Sequence, residues 1–346
     1  MAGTDRRVLP RRRNRRIVLS VDSTLRTASR DERGLVPALV GDGRPLLALM
    51  AVGLIVAGAF AFFLAAVGQF LPHDLAFLGL TAAELRSLAG GRIVSFMFHD
   101  RVAFGGTLVA VGILYLWLIT FPLREGRAWA WWTLVISGSI GFASFLAYFV
   151  YGYLDAWHGV ATLALLPAFT VGLAKARSNL QEPRGPGALL VPDELTPLLS
   201  RAGVGRAMLL LTAFGMLVAG MTILTLGSLV VFVPQDLEFI GLNRMALDSL
   251  NSRLVPLIAH DRSGFGGGLA TTGLIVMACV WCGRPSRSLW EALLVAGTVG
   301  FAAALGVHLP IGYHDLGHLS PAFLGAATFA VGILATRPWM RRARNR

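Results

Sequence analysis

Eight separate apolar stretches, at approximately 46–70, 103–121, 130–150, 159–174, 207–233, 264–282, 290–310 and 319–336, constrain this chain more than any other feature. A helix crossing a hydrocarbon core of about 30 Å needs about 20 mostly apolar residues, and each stretch approaches or exceeds that length. Apart from Glu291 at the inner end of the seventh, none of the eight contains Asp, Glu, Lys or Arg. Across 346 residues only 14% are charged, against about 25% for a soluble domain, so most of the chain belongs in lipid. The expected fold class is an all-α integral membrane protein.

The net charge of +12 is a topology signal. Lys and Arg near span ends are retained on the cytoplasmic side. With the N-terminus inside, the inside segments hold 25 of the 31 Lys and Arg residues and a net +15; the outside segments hold 6 and a net −3. The opposite orientation would translocate the run Arg11 to Arg16 and the closing RRARNR. A multi-pass protein of the plasma membrane with both termini cytoplasmic is therefore expected. The basic tails suit anionic lipid headgroups, and a nucleic-acid partner is excluded because such long apolar runs cannot lie in water beside a duplex. The tail is too long and the first apolar span too extended for an ordinary signal peptide, the Arg cluster lies too far from that span for a twin-arginine signal, and the span reads as an anchor.

The chain is internally duplicated. FLPHDLAFLGLTAAELRSL from Phe70 aligns with FVPQDLEFIGLNRMALDSL from Phe232 with 10 identities in 19 positions. HDRVAFGG from His99 matches HDRSGFGG from His260, and GYLDAWH from Gly152 matches GYHDLGH from Gly312. Each unit has four spans, an even number, so the copies enter the membrane from one side as parallel four-helix repeats. The boundaries read 1–43 for a basic tail, 44–175 for the first repeat, 176–205 for a Pro- and Gly-rich cytoplasmic linker, 206–337 for the second repeat and 338–346 for a closing basic tail. Two four-helix bundles side by side are the expected packing. The Phe-Gly-Gly runs after each His-Asp-Arg read as close helix approach, and Cys279 with Cys282 as apolar packing.

All seven histidines fall on the outer side: His73, His99, His158, His260, His308, His314 and His318. Asp74 with Asp236, Arg92 with Arg253, Asp100 with Asp261, Arg101 with Arg262 and Asp155 with Asp315 occupy matching positions there. Three site chemistries would use them. A haem would take imidazoles from His99 and His158 in one repeat and His260 and His318 in the other, with Arg101 and Arg262 toward its propionates. A zinc or iron ion would accept His99, Asp100, Asp155 and His158, or His260, Asp261, Asp315 and His318. An anionic headgroup would be gripped by Arg92 and Arg101. The same groups would also serve as interfacial ion pairs with no ligand at all.

Eight spans in two parallel units, a His at the mouth of the second and fourth span of each unit, and an Arg soon after the first His resemble the heme A synthase plan. The resemblance covers nearly the whole membrane region and is architectural. This chain carries His-Asp-Arg where that family shows an acidic residue before a His-Arg pair, and it has no outer-loop cysteines. The resemblance implies an outward-facing haem or metal site. The preferred function is cofactor binding for redox-type chemistry at the outer leaflet. A small-solute transporter or channel, with Ser137, Ser139, Ser144, Thr222 and Thr225 along a neutral route, is a second class. A cofactor-free scaffold or assembly subunit of a membrane complex is a third.

Overall fold

The computed structural model describes residues 40–182 and 184–342. Most of the expected basic tail over 1–43, and the end of the tail over 338–346, lie outside the described residues. Among the described residues the chain is all helical. Eight helices are long and apolar enough to cross a membrane.

The first of these is α1 (Arg44–Ala66), followed by the short surface helices α2 (Pro72–Leu78) and α3 (Ala82–Ser87), and then by the long α4 (Arg92–Thr120). A proline opens α2, and Thr81 with Glu84 closes a capping box on α3. Next come α5 (Ala128–Phe145), a single turn α6 (Tyr148–Tyr151) and α7 (Ala156–Arg177), which Asp155 caps through the backbone N–H groups of Trp157 and His158. The chain then runs through α8 (Arg201–Leu229), the short α9 (Pro234–Ile240) and α10 (Arg244–Leu250), and the long α11 (Leu254–Cys282). It ends in α12 (Arg287–Gly306), the turn α13 (His308–Ile311) and α14 (Leu316–Arg342).

The segment between α7 and α8, expected as a linker over 176–205, spans 178–200 and is tied to helix ends. The indole of Trp132 donates to the carbonyl of Arg184 at 2.9 Å, and that of Trp281 to Leu190 at 3.2 Å. Arg206 reaches the carbonyls of Glu194 and Trp281. Cys279 and Cys282 are buried, and the Cys282 thiol sits 3.4 Å from the Leu189 carbonyl, in keeping with a packing role.

Two helices form the centre. The apolar windows of α4 and α11 are 78% and 67% buried, whereas those of the other six are 17–28% buried. They pack on each other, α1 packs on α4, and α8 packs on α11. The third span of each half crosses over: α5 packs chiefly on α11, and α12 on α4. Two independent four-helix bundles are therefore not the packing units. The expected Phe-Gly-Gly contacts explain the crossing. A Cβ on Gly106 of α4 would lie 2.6 Å from the Ala303 Cβ of α12, and one on Gly267 of α11 would overlap Ser144 of α5. Only glycine lets those helices approach so closely.

Backbones also approach closely between α8 and α11, where a Cβ on Gly220 would overlap the Ala270 backbone. Gly220→Leu is expected to destabilise the protein by about 1–3 kcal/mol, the usual cost of overpacking. A Cβ on Gly215, one and a half turns away on α8, meets nothing within 4 Å, so Gly215→Ala serves as the neutral control. Thermal unfolding in detergent reads both; equal midpoints for the two variants would contradict this packing.

Candidate metal centre

The His-Asp-Arg runs lie about two turns inside α4 and α11, not at loop ends as the apolar pattern suggests. The apolar runs stop at the first charge, but the helices continue because those charges are paired. Arg101 donates through Nε to Asp261 at 2.8 Å and through Nη2 to Asp74 at 2.7 Å, and the Tyr153 hydroxyl also donates to Asp74, at 2.5 Å. Arg262 donates to Asp236 and to the Val231 carbonyl, and its Nε lies 3.6 Å from Asp100. Asp236 in turn accepts from the Tyr313 hydroxyl at 3.0 Å. Each arginine thus joins the surface helices of its own half to the central helix of the other. Burial, then the adjacent carboxylates Asp74 and Asp236, push the Tyr153 and Tyr313 hydroxyls up, so both remain donors.

Crossing of the third spans decides which histidines meet. His99 does not meet His158, nor does His260 meet His318. Instead His99 lies with His308 and His318, and their ligating atoms fall within 4.8 Å of one another. The Nε2 atoms of His99 and His308 are 3.0 Å apart, and both residues are 4% exposed. The His99 Nδ1 lies 2.9 Å from Asp100 Oδ1; facing a carboxylate, that nitrogen carries the proton and donates it, which leaves the Nε2 lone pair pointing at the cluster. Tyr313 stacks on His318 with centroids 4.5 Å apart, and Phe96 stacks on His99 at 5.9 Å.

A second group holds Asp155, His158 and His260, with His158 Nδ1 2.8 Å from His260 Nε2. Asp155 also accepts from His73 Nε2 at 3.0 Å, and His73, Asp74 and Asp155 form a third convergent set. Burial alone would raise the Asp155 carboxyl, but the neighbouring His158 side chain, the His158 backbone N–H and the His73 bond together hold it at about 2. It is therefore a carboxylate committed to capping α7 and anchoring α2.

The other expected ligands go elsewhere. Asp261 is spent on Arg101, and Asp100 stands behind His99 rather than beside its Nε2. Asp315 caps α14 through the His318 N–H at 2.6 Å and remains exposed. Arg101 and Arg262 are neutralised by aspartates. Arg92 and Arg253 donate to the carbonyls of Phe239 and Phe77 in the opposite half. Ser137 and Ser144 line one cavity and Thr222 another. His308 is the member of this group that sequence matching misses. The drifting repeat offset sets it opposite Ala147 or Tyr148, so no histidine in the first half points to it. Asp74 and Asp236, by contrast, are legible as the matched aspartates of the aligned surface helices.

Beneath the His99 group lies a cavity of about 700 Å³ between α4, α8, α11, α12 and α14. The space beneath His158, between α1, α4, α5, α7 and α11, measures about 130 Å³. The chain matches no family model, no curated protein and no solved structure.

Proposed function

We propose that this multi-pass membrane protein holds a transition-metal ion on His99, His308 and His318 and uses it for redox-type chemistry at the outer leaflet. The observation that carries this reading is the convergence of three imidazoles, one of them backed by a buried carboxylate, at the mouth of a large cavity. Three imidazoles with a position left open toward a cavity are the donor set of a reactive site, and imidazole suits zinc, copper and iron. The Asp100 carboxylate on His99 Nδ1 is the outer partner that fixes ring orientation in such sites. Haem, which the resemblance to heme A synthases implies, has less support. The rings of His99 and His308 meet edge to face with centroids 4.5 Å apart and leave no slot for a macrocycle between them.

Two parallel four-helix repeats with interlocked third spans are part of the same proposal. The repeat reading is supported by matched residues making matched contacts: Arg101 to Asp74 and Arg262 to Asp236, Gly106 against α12 and Gly267 against α5. The outward placement of the histidines is supported by the distribution of Lys and Arg between loops. A cysteine introduced at exposed Met245 of α10 is expected to react with a membrane-impermeant maleimide on intact cells, in a Cys279→Ala/Cys282→Ala background. Labelling only after lysis would reverse the topology.

The direct test of the metal is elemental analysis of detergent-purified protein, with absorption spectra of the oxidised and reduced forms. About one metal ion per chain, lost on changing His99, His308 or His318, is expected. A preparation that stays metal-free and colourless after reconstitution with zinc, copper and iron would overturn the reading.

A further inference from the structure

The cavity beneath the His99 group has polar chemistry at one end only. His99, Asp100, Arg262, His308, His318 and Gln235 gather at the mouth, and the chamber runs down α14 from His318 to Phe329, about 16 Å at the helical rise of 1.5 Å per residue. Threonines along its wall contribute little polarity. Thr107, Thr212, Thr222, Thr272 and Thr328 each donate the hydroxyl to a carbonyl of their own helix. A volume of about 700 Å³ lies within the range of small-ligand pockets. Glycines keep it open: a Cβ on Gly215 of α8 or Gly300 of α12 meets nothing within 4 Å.

Two buried polar atoms belonging to residues at that mouth have no hydrogen-bond partner. These are Asp100 Oδ2 and His308 Nδ1, on residues 1% and 4% exposed. Asp100 Oδ2 faces Arg262 Nε at 3.6 Å, an ion pair too long for a hydrogen bond, and buried groups short of a hydrogen bond mark places where a ligand atom fits. The carboxylate oxygen requires a donor. With a metal taking the His308 Nε2 lone pair, its Nδ1 carries a proton and takes an acceptor; without the metal the 3.0 Å contact to His99 Nε2 uses the His308 Nε2 proton instead.

Charge restricts the head further. The one arginine at the mouth, Arg262, already engages Asp236 and Val231 and stands 3.6 Å from Asp100. Among the described residues that line the chamber, no spare positive charge remains for a phosphate or carboxylate head. We infer that the chamber binds an uncharged lipophile whose head both donates and accepts a hydrogen bond, of the prenyl quinol class, with the head at Asp100 and His308 and the apolar body along α12 and α14. This names the substrate class of the proposed metal site and rests on that reading for the position of the His308 proton. The smaller space beneath His158 takes no such ligand.

The test measures equilibrium binding of decylubiquinol, a short-chain quinol, to the full chain in nanodiscs under anaerobic conditions. Oleate serves as an anionic probe and decanol as an uncharged alcohol without a ring. Saturable one-to-one binding of the quinol is expected, with oleate at least tenfold weaker. Gly300→Phe, eight residues along the chain from His308 and filling open space, is expected to weaken quinol binding at least tenfold while thermal stability and metal content stay at wild-type values. Gly215→Leu, from the opposite wall, provides the second variant should the first fail to fold. Absence of saturable quinol binding, tighter binding of oleate, or wild-type affinity in both folded variants would overturn the inference. Decanol binding as tightly as the quinol would reduce the class to uncharged alcohols and overturn the quinol assignment. A metal-free protein that still binds the quinol at these residues would overturn the metal site and leave the chamber; a metal-loaded protein that binds none would do the reverse.

Discussion

Arg101→Met is expected to be the most damaging single change to the fold, costing about 3–5 kcal/mol, the scale of stranding a buried charge by removing its partner. The guanidinium lies between Asp74 and Asp261, which are 1% and 7% exposed, and methionine would leave two buried carboxylates facing each other. The damage belongs to the stranded charges, not to the loss of a favourable bond. Arg101→Met combined with Asp74→Asn and Asp261→Asn is therefore expected to recover much of the loss, because a buried ion pair replaced as a whole is often nearly neutral. Monodispersity and the thermal midpoint of detergent-purified protein measure both. A single variant as stable as wild type would show that the buried lock is not formed. Arg262→Met should behave alike through Asp236 and Asp100.

The largest functional effect is expected from His99→Ala. Removing it takes away one of three imidazoles, and metal content should fall to background, as with His308→Ala and His318→Ala. Asp100→Asn keeps all three ligands and weakens only the hold on the His99 ring, so a 10- to 100-fold loss of metal affinity against a competing chelator is the expected result. His158→Ala and His260→Ala leave this group intact and should retain its metal. If His158→Ala emptied the site as His99→Ala does, the pairing within each half would stand and the crossing of the third spans would not.

Much of this molecule is legible before folding. The eight apolar stretches correspond to the eight long helices, because in lipid a backbone must satisfy its own hydrogen bonds and length alone identifies a span. The glycines after each His-Asp-Arg read as sites of close helix approach, and they are. Helix ends are harder to read. The starts of α4 and α11 lie beyond the apolar runs because Asp100, Arg101, Asp261 and Arg262 find partners from elsewhere in the chain, and no local pattern records that.

The site divides along the same line. Sequence by itself determined a helical membrane chain, a duplicated set of His, Asp and Arg residues, and which residues could carry chemistry. Tertiary structure alone decided the grouping: His99 with His308 and His318, His158 with His260, and Asp100 behind His99 rather than in front of it. The reason is physical. Span lengths and charges are properties of each segment, readable one at a time. Which helix lies against which depends on small residues on two surfaces at once, and Gly106 against Ala303 with Gly267 against Ser144 draws each third span across to the opposite half. That crossing places His308, which has no histidine counterpart, beside His99, above the larger of the two cavities.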